Sequence, residues 1–270
     1  MFDLKNKNSL ITGGAGLLGR EHAIALSKFK SKIILIDIDK RKLNNAKKYI
    51  LSKVPYAKIY TYCVDICDEN EIKNLLKKLK LKKIFINILI NNAAIDPKMD
   101  SASKINKDLL NYDTSFLKKE IDVGLLGAFH CSKIFGSEMA KKKQGSIINI
   151  ASDLALSGPD QRVYSKTEKI EDVKSFKPIG YTIVKTGILG LNRYLATYWA
   201  HKNVRVNCLV PGAVKNTQSK SLIKNIIKRV PLKRLAKKTD YHGAIVFLAS
   251  DESSYMTGQH LVVDGGRTIW

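Results

Sequence analysis

Seven short runs rich in Ile and Val punctuate this chain, and they leave it few folds to choose from. They are "NSLIT" at 8–12, "KIILID" at 32–37, "AKIYTYCVD" at 57–65, "INILINNAA" at 86–94, "GSIINIAS" at 145–152, "VRVNCLVPG" at 204–212 and "QHLVVDGG" at 259–266. Apolar runs this short, mostly without polar alternation, suit strands covered on both faces. Helical patterns lie between them, at 17–29, 40–53, 69–80, 114–140, 179–202 and 241–249. Strand–helix repetition builds a parallel sheet, because each helix carries the chain back to the end from which the next strand starts. The expected fold is α/β: one domain over 1–270, with a doubly wound, mostly seven-stranded parallel sheet and helices on both faces.

One segment breaks the rhythm. Residues 153–178, "DLALSGPDQRVYSKTEKIEDVKSFKP", have no clear period and mix both charges with Gly and Pro. Unstructured connections beyond about 12–15 residues are uncommon in compact domains and tend to be functional. The segment is read as a substrate-loop insertion.

The first strand leads into "TGGAGLLG" at 12–19 and then a helix, the arrangement of a Rossmann dinucleotide site. Gly13 permits a tight turn, Gly16 lets the backbone approach a pyrophosphate, and Gly19 allows close packing of the helix. The free N–H groups of the helix start then meet the phosphates. Asp37 ends the second strand, where a carboxylate accepts from the ribose hydroxyls and repels a 2′-phosphate, so NAD(H) is favoured over NADP(H). Asp65, closing the third strand, is expected near the adenine edge.

Farther along, "YTIVK" at 181–185 sets Tyr181 and Lys185 four residues apart, on one helix face. A free phenol titrates at about 10, too high for an effective base at neutral pH; an adjacent ammonium and a positive nicotinamide ring would both lower it. Ser152, ending the fifth strand, could then hold the substrate oxygen. Tyr164 is nearer to Ser152 in sequence but has Glu168, not Lys, four residues on.

With these pieces assembled, the chain resembles the single-domain branch of the short-chain dehydrogenase/reductase family over nearly its whole length. The matching stretches are "TGGAGLLG", "DI" at 65–66, "NNAA" at 91–94, "INIAS" at 148–152, "YTIVK", "VRVNCLVPG" and "LVVDGG" at 261–266. The resemblance implies Ser152, Tyr181 and Lys185 as the catalytic group. It implies cofactor contacts from Gly13, Gly16, Leu17, Leu18, Gly19, Asp37, Asp65, Ile66, Asn91, Ala93, Lys185, Pro211, Gly212 and Val214. It also implies a homodimer or homotetramer, paired through the helices at 114–140 and 179–202. The stretches "NNAAIDP" and "SGPDQRVY" further resemble members linked to flagellin and surface-glycan modification. Two positions depart from the family pattern. Leu17 stands where the branch has Gly, giving the glycine spacing of the nucleotide-sugar-modifying branch. Gly124 replaces the Asn that holds a proton-relaying water, leaving Asp122 or another water arrangement to substitute.

Asp96, Asp153, Asp160, Gln161 and Arg162 are the candidate substrate contacts. They suit a polyhydroxylated ligand, and Arg162 could pair bidentately with a phosphate or carboxylate. The expected activity is NAD(H)-dependent interconversion of a hydroxyl and a ketone on a sugar or sugar-nucleotide. The alternatives are an epimerase or dehydratase holding NAD tightly, or a dinucleotide-binding protein without catalysis. The net charge of +23 comes mostly from Lys, with no Arg-rich groove or aromatic interleaving, so specific nucleic-acid binding is not expected. No apolar run is long enough to span a bilayer and the start lacks a secretory pattern, so a cytoplasmic protein is expected. The four cysteines and five histidines lack metal-ligand spacing, so no metal is expected.

Overall fold

Along each inner strand, successive side chains enter opposite cores, which explains why these runs are apolar throughout. In the computed structural model, which describes residues 2–97, 108–173 and 175–270, Ile11, Ile33 and Leu35 face one core while Leu10, Ile34 and Ile36 face the other. The strands are β1 (Asn8–Thr12), β2 (Lys32–Asp37), β3 (Ile59–Cys63), β4 (Ile88–Asn91), β5 (Gly145–Ile150), β6 (Val204–Pro211) and β7 (His260–Val263). They form one sheet in the order β3-β2-β1-β4-β5-β6-β7, and every pairing is parallel. Residues expected to extend the third and fourth strands, Asp65 and Asn92 to Ala94, lie beyond the ends of β3 and β4.

Helices α1 (Leu17–Lys28), α2 (Lys40–Lys53) and α9 (His242–Ala249) cover the first core. The second lies under α3 (Glu69–Leu81), α5 (Gly127–Cys131), α6 (Ser137–Lys142) and α7 (Ile179–Trp199). Each fully buried Leu or Ile stabilises by about 1.5–3 kcal/mol relative to exposure. No described helix is long and apolar enough to cross a membrane.

The long helix expected at 114–140 begins with α4 (Thr114–Ile121) and runs to Lys142, but two π-helical turns, Asp122–Leu126 and Ser132–Gly136, interrupt it. One helix escaped the sequence reading: α8 (Lys220–Ile227), whose start is capped by the Ser219 hydroxyl accepting from Leu222 N–H at 3.2 Å. The signal was present in Ser219 and in the apolar positions 222, 223, 226 and 227.

The strand order reverses between β1 and β4. In such sheets the crevice at the carboxyl ends of the strands, at that switch point, is where ligands bind.

Candidate active site

The glycine turn leaves β1 at the switch point. Gly13 has φ +58°, where a side chain is strained, and a Cβ on it would press into Ala93 at 2.8 Å. A Cβ on Gly19 would lie 2.5 Å from the Gly13 carbonyl oxygen, so this glycine packs against the turn itself. Gly16 is the exposed N-cap of α1 and offers no side-chain cap, while Leu17 and Leu18 open the helix. The first-turn N–H groups therefore point out as an anion-binding helix start.

Thr12 and Asn92 fasten the turn to β4. The Thr12 hydroxyl accepts from Asn92 N–H and Ala93 N–H, both at 3.0 Å, and Asn92 Nδ2 donates to the carbonyls of Thr12 and Gly13. Asp37 closes β2 with its carboxylate turned to the same turn, accepting from Ala15 N–H at 3.2 Å. This backbone cradle, with a carboxylate at its edge, fits an adenine dinucleotide. Beyond β3, Asp65 accepts from Cys67 N–H at 2.9 Å, and Ile66 packs against Gly127.

Asn91 lies below the crevice in a buried chain of amides. Its Nδ2 donates to Ser132 Oγ at 2.9 Å and to Asn149 Oδ1 at 2.8 Å, and Asn149 in turn donates to Asn192. Ser132, Asn149 and Asn192 were not anticipated. Their spacing in sequence gives no sign that three elements meet here. Pro211 ends β6 opposite Val263 of β7. Gly212 packs against Asp264 and accepts from the Tyr241 hydroxyl at 3.0 Å, and Val214 bridges to Ala236.

Ser152, Tyr181 and Lys185 come together at the end of β5 and the first turns of α7. Lys185 is buried; its Nζ donates to the Ile150 carbonyl at 2.7 Å and stands 5.7 Å from the centre of the Tyr181 ring. Burial lowers the Lys185 ammonium to about 8, with Asp96 pulling the other way. Tyr181 behaves differently from expectation. Burial, followed by Asp96, raises the phenol above its ordinary value, although hydrogen bonding with Ser152 favours the phenolate. Desolvation is thus the largest influence on the phenol in the protein alone. Burial likewise raises Tyr164, which in turn opposes the ionisation of Tyr181.

The expected substrate contacts are largely occupied by protein partners. Asp153 is buried, accepts from Ser152 Oγ at 2.9 Å and pairs with Arg267 at 2.7 Å, so its carboxylate serves the site from within. Gln161 accepts from Lys177 N–H at 2.8 Å, and Asp96 pairs with Lys177 Nζ at 2.6 Å. Arg162 is 58% exposed and folds back onto Asp160, which also holds Arg229. The described residues of 153–178 carry two 3-10 turns, Asp153–Ala155 and Gln161–Tyr164. Asn225 of α8 donates to the carbonyls of Val163 and Ser165, tying the segment down, while Arg229 and Lys228 pair with Glu168.

At the departure from the family pattern, Gly124 lies in the first π-turn. A Cβ there would collide with Val184, so the space a larger side chain needs is filled. Asp122 lies in the same turn, exposed, and its charge helps raise the Cys67 thiol.

A family model described as enoyl-(acyl carrier protein) reductase matches residues 14–268. The 3-oxoacyl-(acyl-carrier-protein) reductase FabG of Thermotoga maritima is 30% identical, over 98% of this chain and 99% of that one. A short-chain dehydrogenase from Leptospira borgpetersenii with bound NAD+ superposes with a TM-score of 0.81 at 29% identity, covering 98% of this chain and 94% of the other. A protein assigned as a gluconate dehydrogenase from Agrobacterium tumefaciens gives 0.84 at 25% identity, over 99% and 98%.

Proposed function

The chain belongs to the short-chain dehydrogenase/reductase family, and we propose that it interconverts a secondary hydroxyl and a ketone with NAD(H) through Tyr181, Lys185 and Ser152. The family consists of oxidoreductases that use a nicotinamide dinucleotide on small molecules. The observation that carries the reading is the meeting of a half-buried phenol with a buried ammonium and a buried hydroxyl beside the switch point.

When bound, the dinucleotide supplies a hydride acceptor or donor and a positive ring that favours the phenolate. Tyr181 takes the carbinol proton in oxidation and returns it in reduction. Lys185 favours the charged form of Tyr181. It is held for this by the Ile150 carbonyl. Ser152, fixed by Asp153, binds the substrate oxygen beside the phenol. Asp37 supports NAD(H) over NADP(H), because its carboxylate would meet a 2′-phosphate at the edge of the turn.

For the substrate, the charged surroundings of Tyr181 support a polar molecule, a sugar or sugar-nucleotide, in line with the gluconate dehydrogenase likeness. On the likeness of "NNAAIDP" and "SGPDQRVY", the proposal extends to surface-glycan or flagellin modification. The competing substrate is a 3-oxoacyl thioester, which the identity to the Thermotoga protein favours. Self-association through α7 is also part of the proposal; Tyr194 and Tyr198 stack there at 5.9 Å and are exposed. Light scattering tests it.

The activity is tested by following NADH across a panel of sugars, sugar-nucleotides and a 3-oxoacyl thioester, with NADPH in parallel. Tyr181→Phe is expected to lose about 10²- to 10⁴-fold in turnover while still binding NAD+ in calorimetry. Turnover that survives this substitution would refute the reading. Reaction on the thioester alone would move the substrate to the acyl class, and conversion of a sugar with no net change in NADH would indicate epimerase or dehydratase chemistry.

A further inference from the structure

Tyr181 has two lysines around it, four residues to either side. Lys185 is the family's. Lys177 is the last but one residue of the 153–178 segment, and its Nζ stands over the Tyr181 ring, 4.1 Å from the centroid. Its side chain is only 9% exposed, although it belongs to a connecting segment.

Local chemistry explains how it gets there. Pro178 caps the start of α7 and biases the residue before it towards extended backbone, so Lys177 cannot continue the helix outward. Gln161 accepts from its main-chain N–H, and Asp96, beyond the end of β4, anchors its ammonium. Glu120 of α4 is buried nearby and feels the charges of both Lys177 and Asp96. The Tyr112 hydroxyl donates to its Oε2 at 2.7 Å, while its Oε1 has no partner among the described residues. Two of the residues that sequence reading offered to the substrate, Asp96 and Gln161, are thus engaged in holding Lys177.

We propose that Lys177 is a positioning residue for the Tyr181 chemistry: the insertion delivers a second ammonium to the tyrosine ring, where it favours the phenolate, and Asp96 is the counter-charge that limits its effect. The idea rests on Tyr181 being the proton-transferring group. It also fits the departure at Gly124, where the packing of Val184 excludes the family's side chain. The charged and titratable groups around the phenol are Lys177 before α7, Lys185 on it, Asp96 after β4, Ser152 and Asp153 after β5, and Tyr164 in the insertion; Glu120 stands behind Lys177 and Arg267 behind Asp153. The two ammonium groups favour the phenolate; Asp96, Asp153 and Tyr164 oppose it.

The test does not require the substrate. With NAD+ saturating, the tyrosinate ultraviolet band is titrated, and the same titration of Tyr181→Phe is subtracted to isolate residue 181. Lys177→Gln should raise the isolated midpoint by about one pH unit, Asp96→Asn should lower it, and Lys177→Arg should restore most of the wild-type value. Calorimetric NAD+ binding confirms that each variant is folded; if Lys177→Gln fails that check, the Arg and Asn variants carry the test. An unmoved midpoint, or no ionisation of residue 181 in the wild type before alkaline unfolding, overturns the proposal. Failure of the oxidoreductase reading is separate: it would appear as turnover that survives Tyr181→Phe, whatever the titration shows.

Discussion

The glycine turn and the surroundings of Tyr181 are built in opposite ways. The turn is local. Eight consecutive residues, 12–19, make the cradle, and partners from β2 and β4 only fasten it. The tyrosine's surroundings come from Asp96, Glu120, Ser152, Asp153, Tyr164, Lys177 and Arg267, on segments scattered along most of the chain. The turn presents backbone groups and tolerates little change in shape. The tyrosine's surroundings work through charges, most of them buried or half-buried with Asp96 exposed, so they are sensitive to a change in their balance.

The largest effect expected from this contrast is at Gly19. Gly19→Val puts its Cβ against the Gly13 carbonyl, so the turn must open. Dinucleotide affinity should fall by at least about 100-fold, with about 1–3 kcal/mol of stability lost to overpacking; calorimetry and thermal unfolding measure the two. Unchanged affinity would break the claim that this cradle is rigid. On the other side, Arg267→Ala leaves the Asp153 carboxylate buried without its cation. A loss of about 3 kcal/mol is expected, and adding Asp153→Asn should recover part of it, because the orphaned charge is then gone. If the double variant is no better than the single, the pair contributes packing rather than charge compensation.

The same contrast decides what could be read from sequence. The sheet was legible because strands buried on both faces must be apolar, and the turn because its glycines are adjacent in the chain. Ser152, Tyr181 and Lys185 were legible through family likeness and helical spacing, although the likeness did not reveal that burial would raise the phenol. Asp153 was recognisable as polar and near the site, but its partner Arg267 lies 114 residues away, and no periodicity links them. The 153–178 segment looked irregular because its order comes from Asn225 and Arg229, outside it, rather than from any internal period. Lys177 was hidden among 47 basic residues, and only its burial distinguishes it.

The smallest expected effect separates the two regions most cleanly. Burial holds Lys185 at about 8 in the folded protein, against an ordinary value of 10.5. The unfolded chain therefore binds that proton more tightly, and the lysine opposes folding. The cost is fully present below about pH 8 and fades as pH rises towards 10.5, so wild-type stability gains from this group across that interval. At roughly 1.4 kcal/mol per pH unit the cost at neutral pH is at most about 3.5 kcal/mol. Lys185→Met removes it but leaves the Ile150 carbonyl without its donor, at about 1 kcal/mol. The variant should be about 1–2 kcal/mol more stable at pH 7, lose that advantage by pH 10.5, and lose turnover, the trade-off expected of a functional group held in an unfavourable place. Substitution in the glycine turn, by contrast, should lower stability and binding together. Denaturant titrations of wild type and Lys185→Met at pH 7 and 10 decide the point: a variant that is less stable at both, by the same amount, would mean that Lys185 is an ordinary packing residue.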